Sequence, residues 1–238
     1  MTRALFLEDS YMRECEAKVQ SVKDGKFIIL NQTIFYPRGG GQPHDTGKII
    51  RGDDEFKIVF AGKFNGQLSH EVDTEGLQEG DTVRCIIDWE RRHKLMRMHT
   101  AAHALAATMH KTLGALITGN QLGEEKTRFD FNMENFERTK FEEVVAEVNR
   151  LLKEDKELKT YTLPREEAMK IPGVVKLASA LPPTISELRI VEIPDIDIQA
   201  DGGTHVRNLN EVGKIEILKL ENKGKNNRRV YFTLAPTK

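Results

Sequence analysis

The chain has 238 residues, enough for one large or two modest domains, and its 39% hydrophobic and 31% charged residues are an ordinary globular balance. No apolar run approaches the length a helix needs to span a bilayer, and the opening Met1-Thr2-Arg3-Ala4-Leu5-Phe6-Leu7-Glu8-Asp9 meets acids too early for a secretory signal, so a soluble cytoplasmic protein with no membrane partner is expected. A net charge of −1 excludes a bulk basic excess as the means of holding a polyanion and leaves that task to local clusters.

Up to about Asp88 the chain reads as six short strands, at 16–22, 26–30, 47–50, 55–61, 67–71 and 82–88, broken at Asp24-Gly25, Arg51-Gly52-Asp53-Asp54, Asn65-Gly66 and Glu79-Gly80-Asp81. Short strands at such close spacing predict a small antiparallel barrel, closure being the way to remove exposed sheet edges. Between the second and third strands runs Gln32-Thr33-Ile34-Phe35-Tyr36-Pro37-Arg38-Gly39-Gly40-Gly41-Gln42-Pro43-His44-Asp45-Thr46-Gly47. Three consecutive glycines carry an entropic cost that a plain hairpin does not require, so Gly39, Gly40, Gly41 and Gln42 are expected to form a ligand-facing loop. It is not a P-loop, because no Lys-Ser/Thr follows and the flanks read as β rather than strand-to-helix. Cys15 and Cys85 share no CxxC-type spacing, so neither a disulfide framework nor a thiolate zinc site is expected, only buried thiols.

After Asp88, a plausible helix N-cap, the period changes: Leu95, Met98, Ala102, Leu105, Ala106, Met109 and Leu113 recur at three- and four-residue steps until Gly114. This long helix carries His99 and His103 one turn apart on or beside its apolar stripe, so both imidazoles face the protein. Thr100 stands where a metalloprotease HExxH motif has its general base, which removes the main support for peptide hydrolysis. His110, close to the same face, is expected as a core histidine. Arg91-Arg92-His93-Lys94 with Arg97 forms a basic cluster, readable either as a solvated face or as phosphate contacts.

Strands are expected at 116–122 and 127–131, an amphipathic helix at 136–155 and a strand at 158–163 ending at Pro164; segments at 165–171, 186–193, 214–220 and 229–234 follow. Helices alternating with mostly antiparallel strands predict an α+β fold for 89–238, packed against the barrel of 1–88 without a Pro/Gly-rich linker. A second basic cluster, Lys219, Lys223, Lys225, Arg228 and Arg229, lies in the last hairpin. The turn Asp201-Gly202-Gly203-Thr204-His205 adds an imidazole four residues after a carboxylate. Together with His99 and His103 it describes a metal site, and three imidazoles with an oxygen ligand suit Zn2+ in a catalytic rather than structural setting.

Four stretches, Phe35-Tyr36-Pro37 through Gly47, His99/His103, Arg128-Phe129-Asp130-Phe131 and Gly202-Gly203-Thr204-His205-Val206, fall in an order that resembles that of alanyl-tRNA editing domains. Over nearly its whole length the chain resembles the AlaX-type trans-editing proteins of the medium-length class, and it is similar to the editing region of alanyl-tRNA synthetase, while being too short to hold an aminoacylation domain as well. The resemblance implies a zinc-dependent editing domain that hydrolyses tRNA(Ala) mischarged with serine, in some members with glycine. One departure stands out: the family commonly has cysteine in a CxxxH arrangement where this chain has Asp201. That residue either ligates zinc directly through a hard oxygen, completing the set His99, His103, Asp201 and His205, or lies outside and orients water or an imidazole.

On this reading His99, His103 and His205 serve catalysis through one Zn2+, which either activates water or polarises the ester carbonyl. Alanine is smaller than serine and cannot be excluded by size, so a polar contact must read the seryl hydroxyl. Thr118 in Leu116-Ile117-Thr118-Gly119-Asn120-Gln121 is the candidate, with Gln121 second, against the plain reading of a strand threonine. The resemblance places the glycine loop beside the editing pocket, discriminating the aminoacyl group or seating the terminal adenosine, and puts the basic clusters, Arg228 among them, on the tRNA side. Two alternatives remain: an RNA-binding module with a structural metal, and editing of Ser-tRNA(Thr).

Overall fold

A computed structural model of the chain describes residues 2–134, 137–174 and 185–235. It folds as two compact units, 1–96 and 97–238. The first contains β1 (Arg3–Ala4), α1 (Leu5–Glu8), β2 (Glu14–Lys23), β3 (Phe27–Leu30), β4 (Gln32–Thr33), β5 (Gly47–Arg51), β6 (Asp54–Phe64), β7 (Gln67–Val72) and β8 (Thr82–Ile87). The six expected strands are all present and close into a barrel in the order β2-β3-β7-β6-β5-β8, each pairing antiparallel. Alternation puts Val83, Cys85 and Ile87 of β8 inward while Thr82 and Arg84 stay exposed, the period-two pattern of a strand with one buried face. Its interior is filled by Val19, Ile28, Leu30, Ile49, Phe56, Ile58 and Val72 among others. The parallel pair of β1 with β4 was not read from the sequence, since two residues show no period.

Cys15 and Cys85 stand directly opposite each other across β2 and β8. Both are free thiols, Cys85 buried as expected and Cys15 half-buried. Near them, Arg92 is fully buried and paired with the equally buried Asp45. Its Nε donates to both Asp45 carboxylate oxygens at 3.0 Å, and its terminal nitrogens donate to the carbonyls of Ser10 at 2.9 Å and Ile34 at 2.6 Å. Asp45 in turn accepts from the Tyr36 amide at 2.6 Å, so this pair anchors both ends of the loop that carries the glycines.

The long helix α2 (Trp89–Leu113) starts in the first unit and continues into the second. After it come β9 (Leu116–Gln121), β10 (Thr127–Asn132), α3 (Arg138–Leu151), β11 (Lys159–Pro164), α4 (Arg165–Ala168), β12 (Glu187–Ile193), β13 (Asp197–Ala200), a 3-10 turn (Leu209–Glu211), β14 (Ile215–Asn222) and β15 (Asn227–Leu234). One sheet has the order β14-β15-β10-β9 and the other β11-β12-β13, all neighbours antiparallel. The fold is thus α+β, as expected. Phe141, Val144 and Val148 make the buried face of α3 at helical spacing. That helix is shorter than the expected 136–155, and Phe136 lies outside the described residues. β13 was missed because its four residues alternate too briefly. No helix of the described residues is long and apolar enough to cross a membrane.

Candidate metal centre

Helix α2 is delimited as its sequence asks. The Asp88 carboxylate accepts from the Arg91 amide at 3.1 Å, an N-cap bond, and Gly114, with φ of 64°, donates from its amide to the His110 carbonyl at 2.9 Å. Along it Met98, Ala102, Leu105 and Met109 are buried, and His99 (4% exposed) and His103 (8%) share that burial. His110 does not: it is exposed, because the last turn of the helix runs past the packing that covers His103.

The other two members come from the turn after β13. The Gly203 amide donates to Asp201 Oδ2 at 2.7 Å, and Arg189 Nη1 donates to the carbonyls of Asp201 at 2.9 Å and Gly203 at 3.0 Å, which holds the bend closed. A β-carbon on Gly203 would lie 2.2 Å from His99 Cε1, so glycine is required there by the approach of a ring.

His99, His103, Asp201 and His205 each offer a donor atom within 4.8 Å of the others. His205 Nε2 is 3.0 Å from Asp201 Oδ2 and His99 Nε2 is 3.8 Å from Asp201 Oδ1. The rings cluster, with centroids 4.3 Å apart for His99/His205, 4.8 Å for His103/His205 and 4.9 Å for His99/His103. Tetrahedral zinc donors at about 2.0–2.2 Å from the ion are roughly 3.3–3.6 Å from one another, so a small contraction of this group would fit the ion. The sequence-predicted set is brought together, and Asp201 is among it.

Burial, the largest effect on His99, pushes its imidazole well below the ordinary histidine range, helped by His205, His103 and Arg189. Burial likewise brings His205 down to about 4. For His103 burial is opposed and outweighed by the hydrogen bond and charge of Asp197, and the ring is held above the usual value. Asp201 is raised by burial but more strongly lowered by the three imidazoles, His99 first, and lies well below the usual carboxylate range. Two neutral imidazoles and an ionised carboxylate are the protonation states a divalent cation needs.

Two residues outside this group hold its rings. His103 Nδ1 is 2.8 Å from Asp197 Oδ2, whose carboxylate also accepts from Gln199 Nε2 at 2.9 Å. His205 Nδ1 is 3.1 Å from Thr100 Oγ1. Sequence reasoning treated Thr100 only as an absent base and did not single out Asp197. The alternating Asp195-Ile196-Asp197-Ile198-Gln199, running up to Asp201, was the available signal.

The remaining candidates are placed as follows. Thr118 is the extra residue of a β-bulge, since Gly119 pairs with Asp130 and Ile117 with Phe131. It is exposed, as is Gln121, and its hydroxyl donates to the Asp130 carbonyl at 3.2 Å. Gly39 and Gln42 exchange backbone hydrogen bonds of 3.2 and 2.8 Å around Gly40 (φ 57°) and Gly41 (φ 87°), a tight two-residue turn of the mirror-image class. The three glycines are exposed and Gln42 is buried.

The first basic cluster is corrected. Arg92 is interior, and Arg97 is buried with its guanidinium donating to the Val212 carbonyl at 2.8 and 3.0 Å. Arg91 donates to the His44 carbonyl at 3.0 Å and Lys94 pairs with Glu90. Arg92 and Arg97 thus fall on the inward face of α2 and Arg91 serves the loop beside it, while Lys94 stays exposed. In the second cluster Lys219 and Lys223 both pair with Glu221, Arg229 pairs with Asp130, and Arg228 donates to Asn222 and to the carbonyls of Gly224 and Glu134.

Two family models match the chain: tRNA synthetases class II (A) over residues 3–91, and the threonyl and alanyl tRNA synthetase second additional domain over residues 188–231. The alanyl-tRNA editing protein AlaX-M of Methanosarcina barkeri is 48% identical over 242 residues, covering 99% of this chain and 100% of that protein. AlaX-M of Saccharolobus solfataricus is also 48% identical, with 99% and 100% covered. Alanine–tRNA ligase of Pyrobaculum calidifontis is 38% identical across 99% of this chain and 27% of its own length.

Proposed function

The chain belongs to the AlaX-M family of alanyl-tRNA editing proteins, and from that premise we propose that it is a cytoplasmic trans-editing hydrolase that deacylates Ser-tRNA(Ala). The observation that carries this reading is the convergence of His99, His103, Asp201 and His205 in a chain whose full-length relatives bear that name. The donor set of three imidazoles and one carboxylate is one that zinc accepts. A zinc ion bound there supplies Lewis-acid polarisation of an ester carbonyl and acidification of water near neutral pH.

The chain's own residues do the rest. His99 and His205, held neutral by burial, keep their lone pairs for ligation. Thr118, whose hydroxyl hydrogen goes to the Asp130 carbonyl, can still accept from a seryl hydroxyl, and its place on a bulge favours the role because bulges re-aim side chains beside active sites. An alanyl group offers no such donor, and a site built to bind a hydroxyl discriminates by about 10⁴–10⁵ against the analogue lacking it. Gly39 and Gly40 support a substrate-facing loop, for a β-carbon on either would meet nothing closer than 3.8 Å within the protein. The terminal adenosine of tRNA(Ala) is the group proposed to seat there, with Gly41, while the buried Gln42 closes the turn through its backbone bonds to Gly39 instead of meeting the substrate; Gln121 and Arg228 are the further substrate contacts.

Deacylation of Ser-, Gly- and Ala-tRNA(Ala) with and without chelator tests the proposal. Hydrolysis of the first, lost on chelation and in His99→Ala or His103→Ala, is expected. Full activity in either alanine variant, or hydrolysis of Ser-tRNA(Thr) in preference, overturns it. Thr118→Val is expected to keep its metal content while losing at least about 100-fold in Ser-tRNA(Ala) turnover; unchanged discrimination of serine from alanine removes Thr118 from the mechanism.

A further inference from the structure

We propose that Asp197 is a positioning residue: it pins the His103 ring so that Nε2 is presented to the ion, and Gln199 pins Asp197. The inference rests on the zinc reading above and adds a residue to it. Imidazole has two nitrogens, and only one can ligate a given ion while the other carries the proton; the partner of that other nitrogen selects the tautomer and the ring angle. Asp197 Oδ2 lies 2.8 Å from His103 Nδ1, with both side chains nine-tenths or more buried. A carboxylate accepts and does not donate, so it can only accept a hydrogen bond from Nδ1–H, leaving Nε2 with the free lone pair. Gln199 Nε2 donates to both Asp197 oxygens, at 3.1 and 2.9 Å, which fixes the carboxylate plane on β13, the strand that leads into the Asp201 turn.

His205 is held by a different kind of partner. Its Nε2 is 3.0 Å from Asp201 Oδ2 and its Nδ1 is 3.1 Å from Thr100 Oγ1. A hydroxyl can donate or accept, so Thr100 serves His205 in either tautomer: donating to Nδ1 while Nε2–H bonds Asp201, and accepting from Nδ1–H once Nε2 is given to an ion. Thr100 permits exchange, whereas Asp197 forbids it. His103 is therefore preset for ligation in a way that His205 is not.

Zinc and cobalt(II) affinities, measured against a chromophoric chelator, test this in wild type, Asp197→Asn, Asp197→Ala, Gln199→Ala and Thr100→Ser. Metal-free melting temperatures and proton–nitrogen correlation spectra of the zinc-loaded imidazoles accompany them. Both Asp197 variants are expected to lose about 10–100-fold in metal affinity, Gln199→Ala less, and Thr100→Ser, which keeps the hydroxyl, about none. Melting of the metal-free proteins changes little, and the hydrogen-bonded His103 Nδ1 proton seen in wild type disappears in Asp197→Ala. Affinities of both Asp197 variants within about twofold of wild type, or His103 ligating through Nδ1, overturn the proposal. So does a metal-free Asp197→Asn protein that no longer folds, which assigns the residue to the fold. A wild type that binds no ion sinks the zinc reading itself.

Discussion

A β-carbon on residue 203 would lie 2.2 Å from His99 Cε1 and 2.4 Å from its Nδ1, distances no rotamer adjustment of an alanine methyl can relieve. The ring must shift or the turn must open, and either moves a donor away from the other three. Gly203→Ala is expected to weaken zinc binding by at least about tenfold and to lower deacylation in step, with the fold retained; ion content by atomic absorption beside circular dichroism checks it. The same substitution at Gly202, where a β-carbon meets nothing within 4 Å, is expected to leave metal binding unchanged. At this scale the motif was legible, but its reason was not. The doublet reads as a tight turn in the sequence, whereas one of its glycines is demanded by a histidine on a distant helix.

Within the barrel, His70 is buried, donating from Nδ1 to the Ile28 carbonyl at 3.1 Å and accepting at Nε2 from Thr33 Oγ1 at 2.9 Å. Burial holds it down at about 4, against the weaker raising effect of Ile28. An unfolded chain protonates this histidine below about pH 6.5, and the folded barrel resists until about 4. Stability is therefore full above the unfolded value and is lost as pH falls towards the folded one, by about 3 kcal/mol over that window. Urea denaturation of wild type and His70→Gln at pH 7, 5.5 and 4 is expected to show a flatter profile for the variant. The loop carrying the glycines has its own anchor in Asp45 and Arg92. Asp45→Ala strands a fully buried guanidinium, and a loss of about 3–5 kcal/mol in the same titration at pH 7 is expected. Elements were read well where the signal is local: the six strands are bounded by turn residues, and α2 by an aspartate cap and a glycine stop. Arg92 was misread because its partner is 47 residues away, although it precedes His99 by seven and so shares the buried stripe.

For the molecule as a whole, chelation separates an enzyme from a binding module with a structural ion. Without an ion, His205 keeps its bond to Asp201 and His103 its bond to Asp197, so these two buried imidazoles do not depend on the metal for satisfaction. Removal of zinc is expected to abolish deacylation and leave far-ultraviolet circular dichroism unchanged, while a thousandfold excess of zinc over its Kd adds about 4 kcal/mol of stability. A chelated protein that unfolds would favour the structural reading. Sequence alone determined the barrel strands, the histidine helix and the four residues of the candidate metal site, His99, His103, Asp201 and His205, because periodicity, caps and turn residues act over a few positions. Tertiary structure decided what long-range partners decide: Asp197 found His103 across 94 residues, and Arg97 found the Val212 carbonyl across 115. An isolated chain position states what a side chain can bond, and only the fold states which group, hidden from water, is there to bond it.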